Sequence, residues 1–496
     1  MMRSLFSAVS GLKTHQTRMD VIGNNIANVN TEAFKASSVR FSELMYQNLS
    51  TASAGNGAYG TGGVNAKQVG LGVSTASTTI NITGAGSSET TGNPFDLKLS
   101  DSQTTNFFIV SDGTNTMFTR AGSFYVDGNG YLCMSSTGYT VQGWQVDKST
   151  GTIRKDTVSP LQVMSSSNTT SSPEATTEAY AHGILDKDDT NVTSKDGYTM
   201  TLGFYDDLGY SYTAKFAVTT PDKLPSGAGS DHGNEYFITL TDIVDSSGKT
   251  ILKDATTGAD LDETAKREQL NKIWGSASNA IDGKNGYYLQ YDSNDKGTFL
   301  AINEDGKKPG TVGESDSQVL NLSVLETALK ATNGGVGSNF RDITIDFSKT
   351  TNVAQNGKAT MKMDNGSSIG NNTGKKVGAM IGLTVDQSGK IYGSYDNGNT
   401  ELLGQIAVAQ FANASGLEKV GDNCYQTTLN SGDFDGVGVE VDADGSKINS
   451  GQLEMSNVDL SGQFTDMIIT QRGFQANSRV ITVSDTMLEE LINLKR

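Results

Sequence analysis

The chain has 496 residues, of which 35% are apolar and 57 are glycine, a lean and turn-rich composition that suits several domains of short strands better than one large helical core. Its net charge of −17 denies nucleic-acid phosphates the basic face they need, and no run approaches the roughly 20 apolar residues of a membrane span. Nucleic-acid binding and membrane insertion are therefore not expected.

The first segment, Met1–Phe41, differs from the rest in charge. Arg3, Lys13, Arg18, Lys35 and Arg40 oppose Asp20 and Glu32, a local +3 that leaves −20 for the remainder. The cations do not cluster, so a helix that packs on a partner is preferred over one lying on a membrane surface. Leu5, Leu12, Met19 and Ile26 recur every seven residues, and Val9 and Ile22 join the same stripe. Ser7, Ala8, Ser10 and Gly11 line another side and permit close neighbours. This helix runs into four asparagines, Asn24, Asn25, Asn28 and Asn30. Asparagine is a poor helix residue because its amide competes for nearby backbone groups. Two readings stand: the amides satisfy backbone groups left open at helix ends, with Asn28 or Asn30 as a left-handed cap, or they mark a frayed end.

Residues 42–92 are rich in Ser, Gly and Ala and read as an extended connecting segment. From Phe95 the period changes to two. FDLKLS (Phe95–Ser100) and NFFIVSD (Asn106–Asp112) alternate, and DGNGYL (Asp127–Leu132) is a hairpin signal. This first β domain is assigned to 93–163 and resumes over 375–454. Between them, 164–374 reads as an inserted β-rich domain with a hairpin about Asp206–Gly209 and one helix over Leu261–Trp274. The fold class is multi-domain, with nested antiparallel β domains between terminal helices that pair like a coiled coil.

The chain carries no recognisable catalytic motif. His15, His182 and His232 lie in no nucleophile or HExxH motif, and Gly70–Gly72 lacks the third glycine of a dinucleotide loop. Glu440–Gly445 mimics the start of a calcium loop, but position twelve is Gly451 rather than an acid, so a turn is the better reading. Cys133 and Cys424 form no metal spacing; they could pair, but two thiols in 496 residues make no disulfide scaffold, and free or buried thiols are the preferred reading. No enzyme activity, metal or cofactor is expected.

The last segment answers the first. Leu460, Met467, Phe474, Ile481 and Leu488 are seven apart; Phe464 and Ile492 hold the alternate heptad position at the ends, with Gln471, Ser478 and Asp485 between them. Asp459 or Ser461 can cap the helix start. A lone amphipathic pair buries little, so 1–41 and 455–496 are expected to form an inner domain, loose in a monomer and ordered against neighbouring copies. The stripe residues are the expected polymer interface.

SLFSAVSGLKTHQTRMDVIGNNIANVNTEAFK (Ser4–Lys35) resembles the N-terminal signature of bacterial flagellar rod and hook proteins. FTRAGSFYVDGNGYL…GYTVQGW (Phe118–Trp144) is similar to their shared β segment. Gly404–Gly432 and Val458–Leu494 resemble the C-terminal part of hook proteins, and FYDDLGYSYTAKF (Phe204–Phe216) their inserted-domain hairpin. Glu32 and Ala33 depart from the family's usual Thr-Gly type pair. The resemblance implies a structural homopolymer: a flexible, curved tube carrying torque from rod to filament. Its implied partners are copies of itself, the rod, the hook cap, the hook–filament junction proteins and the type III export apparatus. Its implied place is the extracellular flagellum, reached without a cleaved signal peptide, for which the N-terminus has no apolar core or cleavage site. Some spirochaete members join a cysteine of the inserted domain to a neighbour's lysine; no cysteine lies between residues 134 and 423, so that link is not expected here. A distal rod subunit, or in another class a secreted β-rich adhesin, is the alternative.

Overall fold

The computed structural model describes residues 2–55, 60, 62–147, 150–221, 234–253, 260–275, 283–292, 297–304, 316–325 and 340–494. His232 lies outside them. The chain is mostly β, with a long helix at each end: α1 (Met2–Ala27) and α3 (Leu460–Asn493), and a shorter α2 (Glu263–Ile273) between. It divides into two compact units. The first comprises Met1–Thr169, Ile381–Ser394 and Thr400–Arg496; the second comprises Thr170–Met380 and Tyr395–Asn399.

In the first unit, α1 leads into β1 (Ser37–Glu43), β2 (Tyr46–Ser50), β3 (Lys67–Gly70) and β4 (Val73–Ile80). The segment expected to connect as single extended chain is thus folded back on itself: β1 pairs antiparallel with β4, and β2 with β3. The main sheet then draws on both halves of the sequence. Thr140–Asp147 pairs with Thr400–Ile406, Asn106–Ser111 with Val408–Gln410, and Thr116–Thr119 with Cys424–Gln426. Its core holds Phe108, Phe124, Leu132, Val141 and Ile406, all at most 1% exposed, on one side and Phe107, Phe118 and Trp144 on the other. Cys133 and Cys424 are buried and free.

The second unit has a five-stranded antiparallel sheet, Tyr198–Tyr205, Ser211–Thr219, Glu235–Asp245, Gly286–Tyr291 and Phe299–Asn303, and a four-stranded one. In the latter Glu178–Ile184 runs parallel to Ile343–Thr351, an exception to the expected antiparallel pairing. Strands so far apart in sequence carry no turn signal to announce their direction. Asp262 caps α2 by accepting the Ala265 N–H at 2.8 Å. At its other end Trp274 sits edge-on to Phe216 and Tyr287 and donates from Nε1 to the Ile238 carbonyl at 3.2 Å.

One turn recurs in both units. At Asp127, Asp206, Asp245 and Asp386 the Oδ1 atom accepts the N–H groups two and four residues on. The third residue on is a glycine with φ between +79° and +83° (Gly130, Gly209, Gly248, Gly389) whose N–H returns to the aspartate carbonyl. Aspartate supplies the local acceptor and glycine the left-handed step, and at these four sites the combination closes a hairpin.

Candidate assembly interface

Helices α1 and α3 lie antiparallel. Asn25 Nδ2 donates to Gln463 Oε1 at 3.0 Å, Arg18 pairs with Asp466 at 3.0 Å, His15 packs on Gly473 and Gly11 on Asn477. The contacts advance in step, one helix rising as the other descends. A Cβ on Gly11 would come within 2.7 Å of the Asn477 amide, and one on Gly473 within 2.7 Å of the His15 ring, so the two glycines set how closely the helices approach.

The buried residues of α1 are Ala8, Gly11, Thr14, Ile22 and Asn25; those of α3 are Thr470 and Ser484. The inward row of α3 is Gln463, Thr470, Asn477 and Ser484, seven apart but polar. Hydrophobic periodicity looks past such a row and takes the neighbouring positions instead. Of the stripe residues, Ile22 is buried; Leu5, Leu12, Met19, Ile26, Met467, Ile481 and Leu488 are half-buried. Val9, Leu460, Phe464, Phe474 and Ile492 are exposed. Phe464 and Ile492, read as seam positions, therefore face outward: the seam's second row runs one residue earlier than expected. Asp459 caps α3 by accepting the Ser461 N–H at 3.0 Å.

The four asparagines separate in role. Asn25 is 1% exposed; its Nδ2 donates to the Ser37 carbonyl at 2.8 Å and its Oδ1 accepts the Ser37 N–H at 3.0 Å. One amide thus joins α1, the start of β1 and α3. Asn28 Nδ2 donates to the Asn24 carbonyl, and Asn28 Oδ1 accepts from Thr31, closing the turn after the helix. Asn24 and Asn30 are exposed. Neither Asn28 nor Asn30 takes a left-handed backbone; that step falls on buried Ala33, at φ +52°. Here the family's usual glycine would be unstrained, and an alanine costs about 1 kcal/mol.

Below the helices lies a charge cluster that sequence reading missed. Glu454, two residues after Gln452 and just ahead of α3, accepts Lys35 Nζ at 2.8 Å and the Gly86 N–H at 2.9 Å on Oε1, and Arg120 on Oε2 at 2.9–3.0 Å. Lys35 also donates to the Gly84 carbonyl, and Arg120 to Asp101 and the Asn106 carbonyl. Lys35, Arg120 and Glu454 are each at most 2% exposed. Burial alone would raise the Glu454 carboxyl; the Arg120 and Lys35 charges overcome it and hold it below the ordinary glutamate value. Burial pulls the Lys35 ammonium below the ordinary lysine value, the nearby Arg120 charge adds to this, and the Glu454 carboxylate opposes it without cancelling it. A lone lysine after a phenylalanine looks like a surface residue in sequence, and nothing local to Arg120 or Glu454 names their partner.

His15 makes the helix seam sensitive to acid. Its ring is edge-on to Phe41, its Nδ1 is buried without a hydrogen-bond partner among the described residues, and Arg18, paired with Asp466, is the neighbouring charge. Burial first, and the Arg18 charge second, pull its pKa below the ordinary 6.5. The unfolded chain therefore takes the proton first. Stability from this site is complete above pH 6.5 and falls as pH drops through 6.5 towards the folded value. Thermal melts of the helical signal between pH 7.5 and 5.5 should show this fall, and His15→Gln should flatten it. An equal slope in the variant would assign the effect elsewhere.

Comparison with known proteins places these features. The model for the flagella basal body rod protein matches residues 5–35, the flagellar hook protein FlgE/F/G D1 domain matches 103–171, and the flagellar basal body rod FlgEFG protein C-terminal region matches 449–494. These matches define a protein of the flagellar rod and hook class. Flagellar hook protein FlgE of Treponema pallidum is 34% identical over 100% of both chains, and that of Borreliella burgdorferi is also 34% identical over 100% of both. Flagellar basal-body rod protein FlgG of Bacillus subtilis is 25% identical over 100% of both. The chain belongs to the flagellar hook protein family. That family is structural rather than enzymatic, so the functional site is an assembly surface. Among the described residues no group of three His, Cys, Asp or Glu side chains could hold a metal ion, and no helix is long and apolar enough to cross a membrane.

Proposed function

We propose that this chain polymerises with copies of itself into the flexible, curved tube of the hook, through the outward faces of α1 and α3. The observation that carries the reading is the set of large apolar side chains those faces leave in water: Phe6 at 68%, Val9, Phe464, Ile468, Ile469 and Ile492 at 67%. Surfaces of this kind, on two helices that bury little against each other, need further partners to be stable. The helix pair then forms a coiled-coil-like wall, and the β units meet their counterparts in neighbouring copies. Their acidic, glycine-rich surfaces would let neighbours slide as the tube bends, since exposed charge limits irreversible edge pairing. The same reading gives the rod, the cap, the hook–filament junction proteins and the export apparatus as partners, and export without a cleaved signal. The stripe residues that meet a neighbouring copy are the exposed Val9, Leu460, Phe464, Phe474 and Ile492, with the half-buried members behind them, while Asn24, Asn25, Asn28 and Asn30 order the helix end.

The test is electron microscopy and sedimentation of the full chain beside Phe464→Asp and Ile468→Asp. Both side chains are exposed in the single chain, so its melting should be unchanged, while a carboxylate pressed into an apolar contact costs several kcal/mol and should abolish tubes. Normal tubes from both variants would overturn the assignment. Curved tubes support a hook subunit; straight, stiff ones would favour a distal rod subunit.

A further inference from the structure

Five Asn-Gly pairs lie among the described residues, led by Asn129, Asn285, Asn356, Asn365 and Asn397. In such a pair the glycine nitrogen can reach the carbon of the asparagine side-chain amide, because no Cβ on the second residue blocks the approach. The reaction needs two freedoms. The side-chain amide must be able to turn toward the following nitrogen, and that nitrogen must be able to give up its proton.

The fold withholds the first freedom at four of the five. Asn129 Nδ2 donates to Asp127 Oδ2 at 3.4 Å, Asn285 Nδ2 to the Asn271 carbonyl at 3.1 Å, Asn365 Nδ2 to the Thr373 carbonyl at 2.6 Å and Asn397 Nδ2 to the Lys376 carbonyl at 2.9 Å. The Asn356 side chain is exposed and makes no hydrogen bond among the described residues. Only the second freedom is withheld there. The Gly357 N–H donates to Asp186 Oδ2 at 2.9 Å. The Asp186 carboxylate is 0% exposed and also accepts the N–H groups of Asp188 and Gln355, while Asp189 accepts those of Asn191 and Ala359. Two aspartates thus clasp 186–191 to 355–359, within the second unit. The N–H groups of Asp188 and then Gln355 hold the Asp186 carboxyl below the ordinary aspartate range, so it is an anion at neutral pH. An anion on the Gly357 N–H retains its hydrogen and opposes the negative charge that losing it would create.

We propose that Asn356 is a site of spontaneous deamidation guarded by Asp186, and that its conversion opens the clasp. The Gly357 nitrogen bonds to the Asn356 Cγ, the Cγ–Nδ2 bond breaks, and the glycine proton passes through solvent to the departing group, which leaves as ammonia. The product is a cyclic imide. Water then adds at one of its two carbonyls and opens it to aspartate or to isoaspartate. The imide nitrogen carries no hydrogen for Asp186, and either acid sets a new negative charge beside a buried one.

The test ages the full chain at mildly alkaline pH, folded and in urea, and follows each asparagine by peptide mass spectrometry; Asn356 is carried by the tryptic peptide Thr350–Lys358. In urea the five pairs should convert at comparable rates. In the folded chain Asn356 should convert about tenfold more slowly than in urea, and the other four more slowly still. If Asn356 is not the fastest of the five in the folded chain, the site is overturned; equal folded and urea rates at Asn356 overturn the guard. Asp186→Asn, which removes the charge, should speed conversion of Asn356 in the folded chain and leave the other four unchanged. Should that variant unfold, all five would move to their urea rates, and the folded-to-urea ratio of the parent chain still decides. Conversion should also move the urea transition of Trp274, in the second unit, to lower urea. An unmoved transition would overturn the opening of the clasp.

Discussion

Glu454→Ala should lower the unfolding free energy of the first unit by about 3–5 kcal/mol, the usual cost of removing one partner from a buried ion cluster. The two cations it neutralises have few other acceptors. Lys35 would keep the Gly84 carbonyl, and Arg120 would keep Asp101 and backbone carbonyls, but two positive charges would face each other in a buried site. The readout is at hand because each unit holds one of the two tryptophans, Trp144 in the first and Trp274 in the second, each buried. Urea unfolding of Trp274→Phe and Trp144→Phe backgrounds should show the Trp144 transition moving and the Trp274 transition standing still. Glu454→Gln, which keeps the shape and some of the hydrogen bonds, should cost less than the alanine. A shift under about 1 kcal/mol for Glu454→Ala would mean that water reaches the cluster and that its charges were never desolvated.

Gly86→Ala should be nearly as damaging with no change of charge. An added Cβ would sit 1.8 Å from the Met455 carbonyl oxygen and 2.9 Å from its carbon, and both are backbone atoms that cannot swing aside. Overpacking of this kind costs about 1–3 kcal/mol and sometimes more. The Gly86 N–H also holds Glu454 Oε1, so the displaced segment would loosen the cluster as well. The same Trp144 transition measures it. Because both residues serve one junction, Glu454→Ala and Gly86→Ala should together cost less than the sum of their separate effects. Full additivity would show that glycine and glutamate act independently.

Much of this fold could be read from the chain. The hairpins at Asp127–Gly130 and Asp206–Gly209 rest on chemistry carried within five residues, and the family resemblance of Ser4–Lys35 and Val458–Leu494 is upheld by full-length relatives at 34% identity. What stayed hidden depends on partners distant in sequence. The inward row Gln463, Thr470, Asn477 and Ser484 is periodic yet polar, so a search for apolar spacing passes over it. The folding back of 42–92 into two ribbons has weak alternation because its residues are exposed on both faces. The parallel pairing of Glu178–Ile184 with Ile343–Thr351 and the meeting of Lys35, Arg120 and Glu454 are long-range choices that no local pattern encodes. Of the four asparagines, the spacing marks the helix end, but only tertiary contact distinguishes Asn25, which joins three elements, from Asn24 and Asn30, which stay in water.

The closing contacts of the first unit impose an order of events. Asn25 and Gln463 are separated by 438 positions and Lys35 and Glu454 by 419, so neither pair can form until nearly all of the polypeptide is available. The second unit, whose core residues all come from within Thr170–Met380, has no such wait. Long loops raise closure entropy only slowly, but contacts of such high sequence separation are the slowest to find one another. A chain that emerges from its N-terminus would therefore hold α1 unpaired until its last residues are free, so completion of the assembly-competent end is timed by the arrival of its own tail.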